Sequence, residues 1–110
     1  MMEVKELKPE VIKEIVERIV SIAQPEKIIL FGSYAYGTPS ENSDADLLIV
    51  MKEIKSRIEI YTKIRKNLKD IRMPFDIIIV NSEEFDFYSS NWINSVVTEA
   101  REKGIVLYGD

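Results

Sequence analysis

The sequence predicts a mixed α/β domain, a four-stranded mixed sheet packed with about three main helices. Three observations lead there. Segments with helical and strand periodicity alternate along the whole chain. Four aliphatic runs have the length of buried strands: Ile28-Ile29-Leu30-Phe31, Leu47-Leu48-Ile49-Val50, Ile77-Ile78-Ile79-Val80 and Ile105-Val106-Leu107-Tyr108. At 110 residues the chain can bury one core, so 1–110 reads as a single domain.

Each element has its own justification. Pro9 suits a first helical turn, Val11, Ile12, Ile15, Val16, Ile19, Val20 and Ile22 recur at helical spacing after it, and Pro25 stops the pattern. A strand from Lys27 to Phe31 then runs into Gly32. Ser33-Tyr34-Ala35-Tyr36-Gly37 fits one short helical turn, with Gly37 as a left-handed stop. The tight link from Gly37 to Ser43 lets the next strand run antiparallel to the first. Ile54, Ile58, Tyr61, Ile64, Leu68 and Ile71 recur every three or four residues, which predicts a long second helix from about Ile54 to Arg72, ended by Pro74. Its lysines and arginines read as a solvated face. Such a helix permits a crossover to the strand opened by Asp76, setting Asp76 beside the strand that carries Asp44 and Asp46.

The next stretch, with Asn81, Ser82, Ser89 and Ser90, reads as polar and turn-rich. Its aromatics Phe85, Phe87, Tyr88 and Trp92 fit either the core or a patch for a partner protein, with Phe87 or Tyr88 at least partly exposed. A third helix is expected from about Asn91 to Lys103, with Trp92, Val96, Val97 and Ala100 inward and Gly104 as its cap. The sheet is expected to be covered mainly on one face, with the carboxylates on the other.

The chemistry lies at the strand ends. Gly32-Ser33, ten intervening residues and then Asp44-Ala45-Asp46 stand where the first two strands meet their loops. Residues two apart on a strand share a face, so Asp44 and Asp46 converge. Carboxylates about 4 Å apart repel by roughly 4 kcal/mol at an effective dielectric near 20, a cost that a divalent cation removes. With no histidine and no cysteine in the chain, an all-oxygen site suits Mg²⁺ or Mn²⁺, Mg²⁺ being the better choice, and substrate phosphates usually complete such a site. Gly32 lets a phosphate approach without a Cβ in the way, and Ser33 adds a donor. Asp76, heading a third apolar strand, is the third acidic candidate. Singly these are a turn, a strand end and a cap; together, in this order, they are what two-metal phosphoryl or nucleotidyl transfer requires.

The stretch Leu30-Phe31-Gly32-Ser33 through Ser43-Asp44-Ala45-Asp46-Leu47-Leu48, with Asp76 beyond it, resembles the G-S-x10-D-x-D pattern and third carboxylate of the minimal nucleotidyltransferases of the DNA polymerase β superfamily, in particular the antitoxins of HEPN/MNT toxin–antitoxin pairs. The resemblance covers nearly the whole chain. Many relatives read G-S-x-A-R-G, and Tyr36 stands here where that arginine would be. The resemblance implies a polymerase β-like nucleotidyltransferase fold. It also implies ATP as substrate, Mg²⁺ as cofactor with two ions, and transfer of AMP to a tyrosine of a cognate HEPN ribonuclease toxin, which silences it. On this reading Gly32 and Ser33 bind the ATP phosphates, while Asp44, Asp46 and Asp76 hold the metal. Two alternatives stand beside it: a non-catalytic antitoxin that neutralises its partner by occlusion, and an enzyme acting on a small-molecule hydroxyl, for which no segment supplies an acceptor pocket.

Composition narrows the partners. A formal net charge of −4 argues against stable binding of a nucleic-acid polymer. There is no signal-peptide pattern and no apolar run of membrane-spanning length, and the lack of cysteine excludes disulfides, so a cytoplasmic protein without a membrane partner is expected. A homo-oligomer is compatible with all of this.

Overall fold

Pro9 opens helix α1 (Pro9–Ala23), where its missing N–H leaves no bond unmade. The computed structural model describes residues 2–3, 8–37, 44–90 and 96–109, and a two-residue strand, β1 (Met2–Glu3), precedes this helix. Val11, Ile15, Ile19 and Ala23 are buried, one every four residues, which makes a single inward stripe. Gln24 ends the helix in the left-handed conformation, at φ 48°, and donates its N–H to the Val20 carbonyl.

Strand β2 (Lys27–Phe31) leads through Gly32 into a single helical turn, α2 (Ser33–Tyr36), which Gly37 closes at φ 76°. Strand β3 (Ala45–Met51) pairs antiparallel with β2, as the short link between them predicts. Helix α3 (Arg57–Asn67) is shorter than the expected 54–72 span. Ser56 caps it by accepting a hydrogen bond from the Glu59 N–H, and a turn at Leu68 ends it ahead of β4 (Ile71–Arg72), which pairs in parallel with β1. Its inward row is Ile60, Ile64 and Leu68, spaced by four; Ile58 and Tyr61, members of the expected stripe, lie off that row and are exposed beside Ile77, Ile78 and Ile79 at the sheet edge.

Strand β5 (Phe75–Asn81) returns parallel to β3, completing the crossover. The stretch expected to be turn-rich is instead helix α4 (Ser82–Ser90). Asn81 Oδ1 accepts from the Glu84 N–H at 2.7 Å and Glu84 Oε1 accepts from the Asn81 N–H at 3.0 Å, so the helix starts on a reciprocal pair of caps. Helix α5 (Val96–Lys103) buries Val97 and Ala100, whereas Val96, expected inward, is exposed at its first position, and Gly104 closes it by donating its N–H to the Ala100 carbonyl. The earlier part of the expected third helix, 91–95, lies outside the described residues, and Trp92 with it. Strand β6 (Ile105–Tyr108) pairs antiparallel with β2.

The sheet order is β5-β3-β2-β6, a mixed sheet of four strands. Helices α1 and α3 cover one face, packing on Ile28, Leu30, Leu47, Ile49, Ile77 and Ile79. The expectation of one mainly covered face needs correction: α4 and α5 cover the other through Phe85, Val97 and Ala100, against Ile29, Phe31, Leu48, Val50 and Val80. Formation of α4 is the physical cause, since it brings Phe85 over that face, where the side chains of Lys27 and Arg101 lie over its ring.

Candidate active site

The parallel pairing of β3 and β5 sets Asp46 directly opposite Asp76. This is the juxtaposition expected of the crossover, and strand spacing makes the two residues neighbours about 4.8 Å apart. By alternation both lie in the row of Leu48 and Val50 and of Ile78 and Val80, so they share the α4/α5 face and stand at the end of it. On its other side Asp46 is paired with Phe31, the residue before Gly32. Gly32 has φ 76° and ψ −161°, a backbone conformation essentially restricted to glycine. A Cβ there would collide with Asp46 Oδ2, so the absence of a side chain makes room for the carboxylate itself.

Ser33 is the first residue of α2 and half-buried. Asp44 is exposed and immediately precedes β3. It lies within electrostatic reach of Asp46, but among the described residues no three acidic groups are gathered closely enough to hold a metal ion between them. The sequence-predicted set thus divides: Gly32, Asp46 and Asp76 are brought together by pairing, with Ser33 next to Gly32 and Asp44 at the rim.

The electrostatics are one-sided. Partial burial pushes the Asp46 carboxyl above the usual carboxylate range, and the negative charges of Asp76, Asp44 and Glu99 push it further in the same direction. Glu99, on α5, was not singled out in the sequence; no motif marks it, and only the packing of α5 brings it near. The donors fit a hard divalent cation: they are all oxygen, two are side by side, and Mg²⁺ is ordinarily held by one or two carboxylates with water and phosphate oxygens completing its shell.

Of the aromatics, Phe85 is buried, Tyr88 is half-buried and Phe87 is 55% exposed, as expected of one of the latter pair. No helix among the described residues is long and apolar enough to cross a membrane.

A sheet that presents paired carboxylates at the ends of adjacent strands, beside a glycine-serine turn, has the donors that transfer of a phosphate-linked group calls for. The profile of the nucleotidyltransferase domain family matches residues 10–99, and the chain belongs to that family. A relative from Methanocaldococcus jannaschii assigned as a protein adenylyltransferase, MJ0141, is 40% identical over 72 residues, which make up 64% of this chain and 72% of the relative. The chain is accordingly an enzyme of the adenylyltransferase kind. A crystal structure of a protein from Sulfolobus solfataricus assigned as a nucleotidyltransferase superposes with a TM-score of 0.56 at 28% identity, covering 86% of this chain and 73% of that one. A crystal structure of a toxin–antitoxin with AMP-PNP shares the fold, with a TM-score of 0.57 at 22% identity over 90% of this chain and 73% of that one.

Proposed function

We propose that this protein transfers AMP from ATP to a tyrosine hydroxyl of a HEPN-type ribonuclease toxin and thereby acts as its antitoxin. The observation that carries the reading is the register of Asp46 against Asp76 with Gly32 held against the Asp46 carboxylate. A protein acceptor is supported by the assignment of the M. jannaschii relative, and a toxin partner with an ATP-like ligand by the toxin–antitoxin of similar fold.

Asp46 and Asp76, joined by Asp44, are the residues to hold Mg²⁺, which when bound neutralises phosphate charge and favours in-line displacement at the α-phosphorus. Gly32 and Ser33 hold the β- and γ-phosphates, Gly32 by close backbone approach and Ser33 by its hydroxyl. Asp76 faces the acceptor and helps take the proton of the attacking hydroxyl. The hydroxyl oxygen bonds to the α-phosphorus as the bond from that phosphorus to the α–β bridging oxygen breaks. Pyrophosphate departs with the electron pair, and AMP remains on the acceptor.

The test is transfer of label from α-labelled ATP to a HEPN-type ribonuclease toxin co-expressed with this chain, with and without Mg²⁺. Metal-dependent labelling of a single tyrosine is expected; no labelling of the toxin by wild-type protein overturns the reading. Neutralisation by occlusion is the second reading, favoured in that no three acidic groups among the described residues are gathered as a metal site. It is selected if Asp46→Asn protects against the toxin as well as wild type does.

A further inference from the structure

The far edge of β5 carries a short, prepared gap. Ala45 donates its N–H to the Pro74 carbonyl at 2.9 Å, so the backbone groups of Asp76, Ile78 and Val80 face β3 and those of Phe75, Ile77, Ile79 and Asn81 face the edge. Both ends of that edge are blocked by side chains. Arg65 Nη2 donates to the Phe75 carbonyl at 2.7 Å, and Glu84 Oε1 accepts from the Asn81 N–H. Between them stand Ile77 and Ile79, with no strand beside them among the described residues. Both are buried; together with the half-buried Ile78 between them they border a groove of about 320 Å³ whose other wall is Arg57, Ile58 and Tyr61 of α3. Ile58 is 80% exposed, and Tyr61 is fixed in place by Arg65, which donates to its hydroxyl at 3.0 Å and lies over its ring.

Exposed edges next to apolar side chains are normally covered or charged. This one lies on the strand of Asp76, a single residue from it, or about 3.3 Å along the strand. We infer that the edge between Phe75 and Asn81 takes an extended segment of the acceptor protein as an added strand, delivering the acceptor hydroxyl to Asp76. The inference rests on the proposed transfer reaction and specifies how its acceptor docks. Alternation then imposes a pattern on the segment. Side chains turned toward α3 enter the groove and are apolar, whereas those turned toward the other face reach the carboxylates, so the acceptor residue is flanked by apolar residues at the positions immediately before and after it.

The probe is a fluorescent nine-residue peptide with a central tyrosine and valines alternating with threonines, so that valines flank the tyrosine. Saturable binding is expected, weakened at least tenfold by N-methylation of alternate amides on the pairing side and at least tenfold by Ile58→Asp. Ile58→Asp should leave the Mg²⁺·ATP melting shift unchanged, which shows that the variant is folded. Ile79→Pro, which removes one edge N–H, provides a second variant. With the toxin as acceptor, Ile58→Asp raises KM and leaves kcat unchanged. Absence of peptide binding, equal affinity of the N-methylated peptide, or an unchanged KM overturns the inference, as does self-association of the chain that Ile58→Asp abolishes, because the edge is then a contact between copies. Peptide binding with no AMP transfer to any protein instead refutes the transfer reaction and leaves the docking mode standing.

Discussion

Asp46 concentrates what single residues contribute here. Its carboxyl is held above the ordinary range by burial first and acidic neighbours second, so the folded chain binds that proton more tightly than the unfolded chain does. Stability relative to Asp46→Asn is therefore equal below the carboxylate range and falls as pH rises through the unfolded and then the folded pKa. Melting curves of the two proteins without metal should coincide near pH 3 and separate by pH 7, with Asp46→Asn the more stable and devoid of AMP transfer. Retained transfer at the wild-type rate would remove Asp46 from the site. Gly32→Ala should cost about 1–3 kcal/mol from backbone strain and lower transfer as well, because the new methyl group displaces the Asp46 carboxylate. Denaturant unfolding and single-turnover labelling check the two halves separately. Gly32, Asp46 and Asp76 were legible because their spacing and their place at strand ends lie in the sequence itself. The collision that forbids a side chain at Gly32 was not legible, since it arises from pairing Phe31 with Asp46 across the sheet.

At the scale of elements, the long α1 was the most readable, its stripe and both terminal prolines being local signals. Helix α4 was missed because serines and asparagine suggest turns, although Asn81-Ser82-Glu83-Glu84 carries the polar-x-x-Glu signature of a helix start. Asn81→Ala should lower stability by about 1 kcal/mol, read from urea unfolding, because the Glu84 N–H loses its acceptor. A change below about 0.3 kcal/mol would mean that the cap contributes little to holding α4. The second helix was read as too long for a related reason. Ile54, Ile58, Tyr61, Ile64, Leu68 and Ile71 fit one period, yet Ile71 belongs to a strand and Ile58 points outward, and periodicity alone cannot tell a core stripe from a groove wall.

The whole molecule places a negatively charged site at one end of a sheet that is apolar on both faces. Such a site binds a triphosphate only with a cation, so Mg²⁺ and ATP together should stabilise the fold by about 2.7 kcal/mol at a hundredfold excess over the dissociation constant. ATP in EDTA should do far less; equal shifts in the two conditions would rule out a metal-dependent site. The sheet also differs from one side to the other in how firmly it is held. Strand β6 meets β2 through a register break between Ile28 and Ile29, exposes Ile105, Val106 and Tyr108, and packs only Leu107 on the core. Its amides should therefore exchange with deuterium through local opening, while those of β3, paired on both sides and buried everywhere but at Asp46, wait for global unfolding. Because Gly32 directly follows β2 while Asp46 and Asp76 sit on β3 and β5, that opening leaves the carboxylates paired, and bound nucleotide should slow exchange along β3 without slowing it along β6.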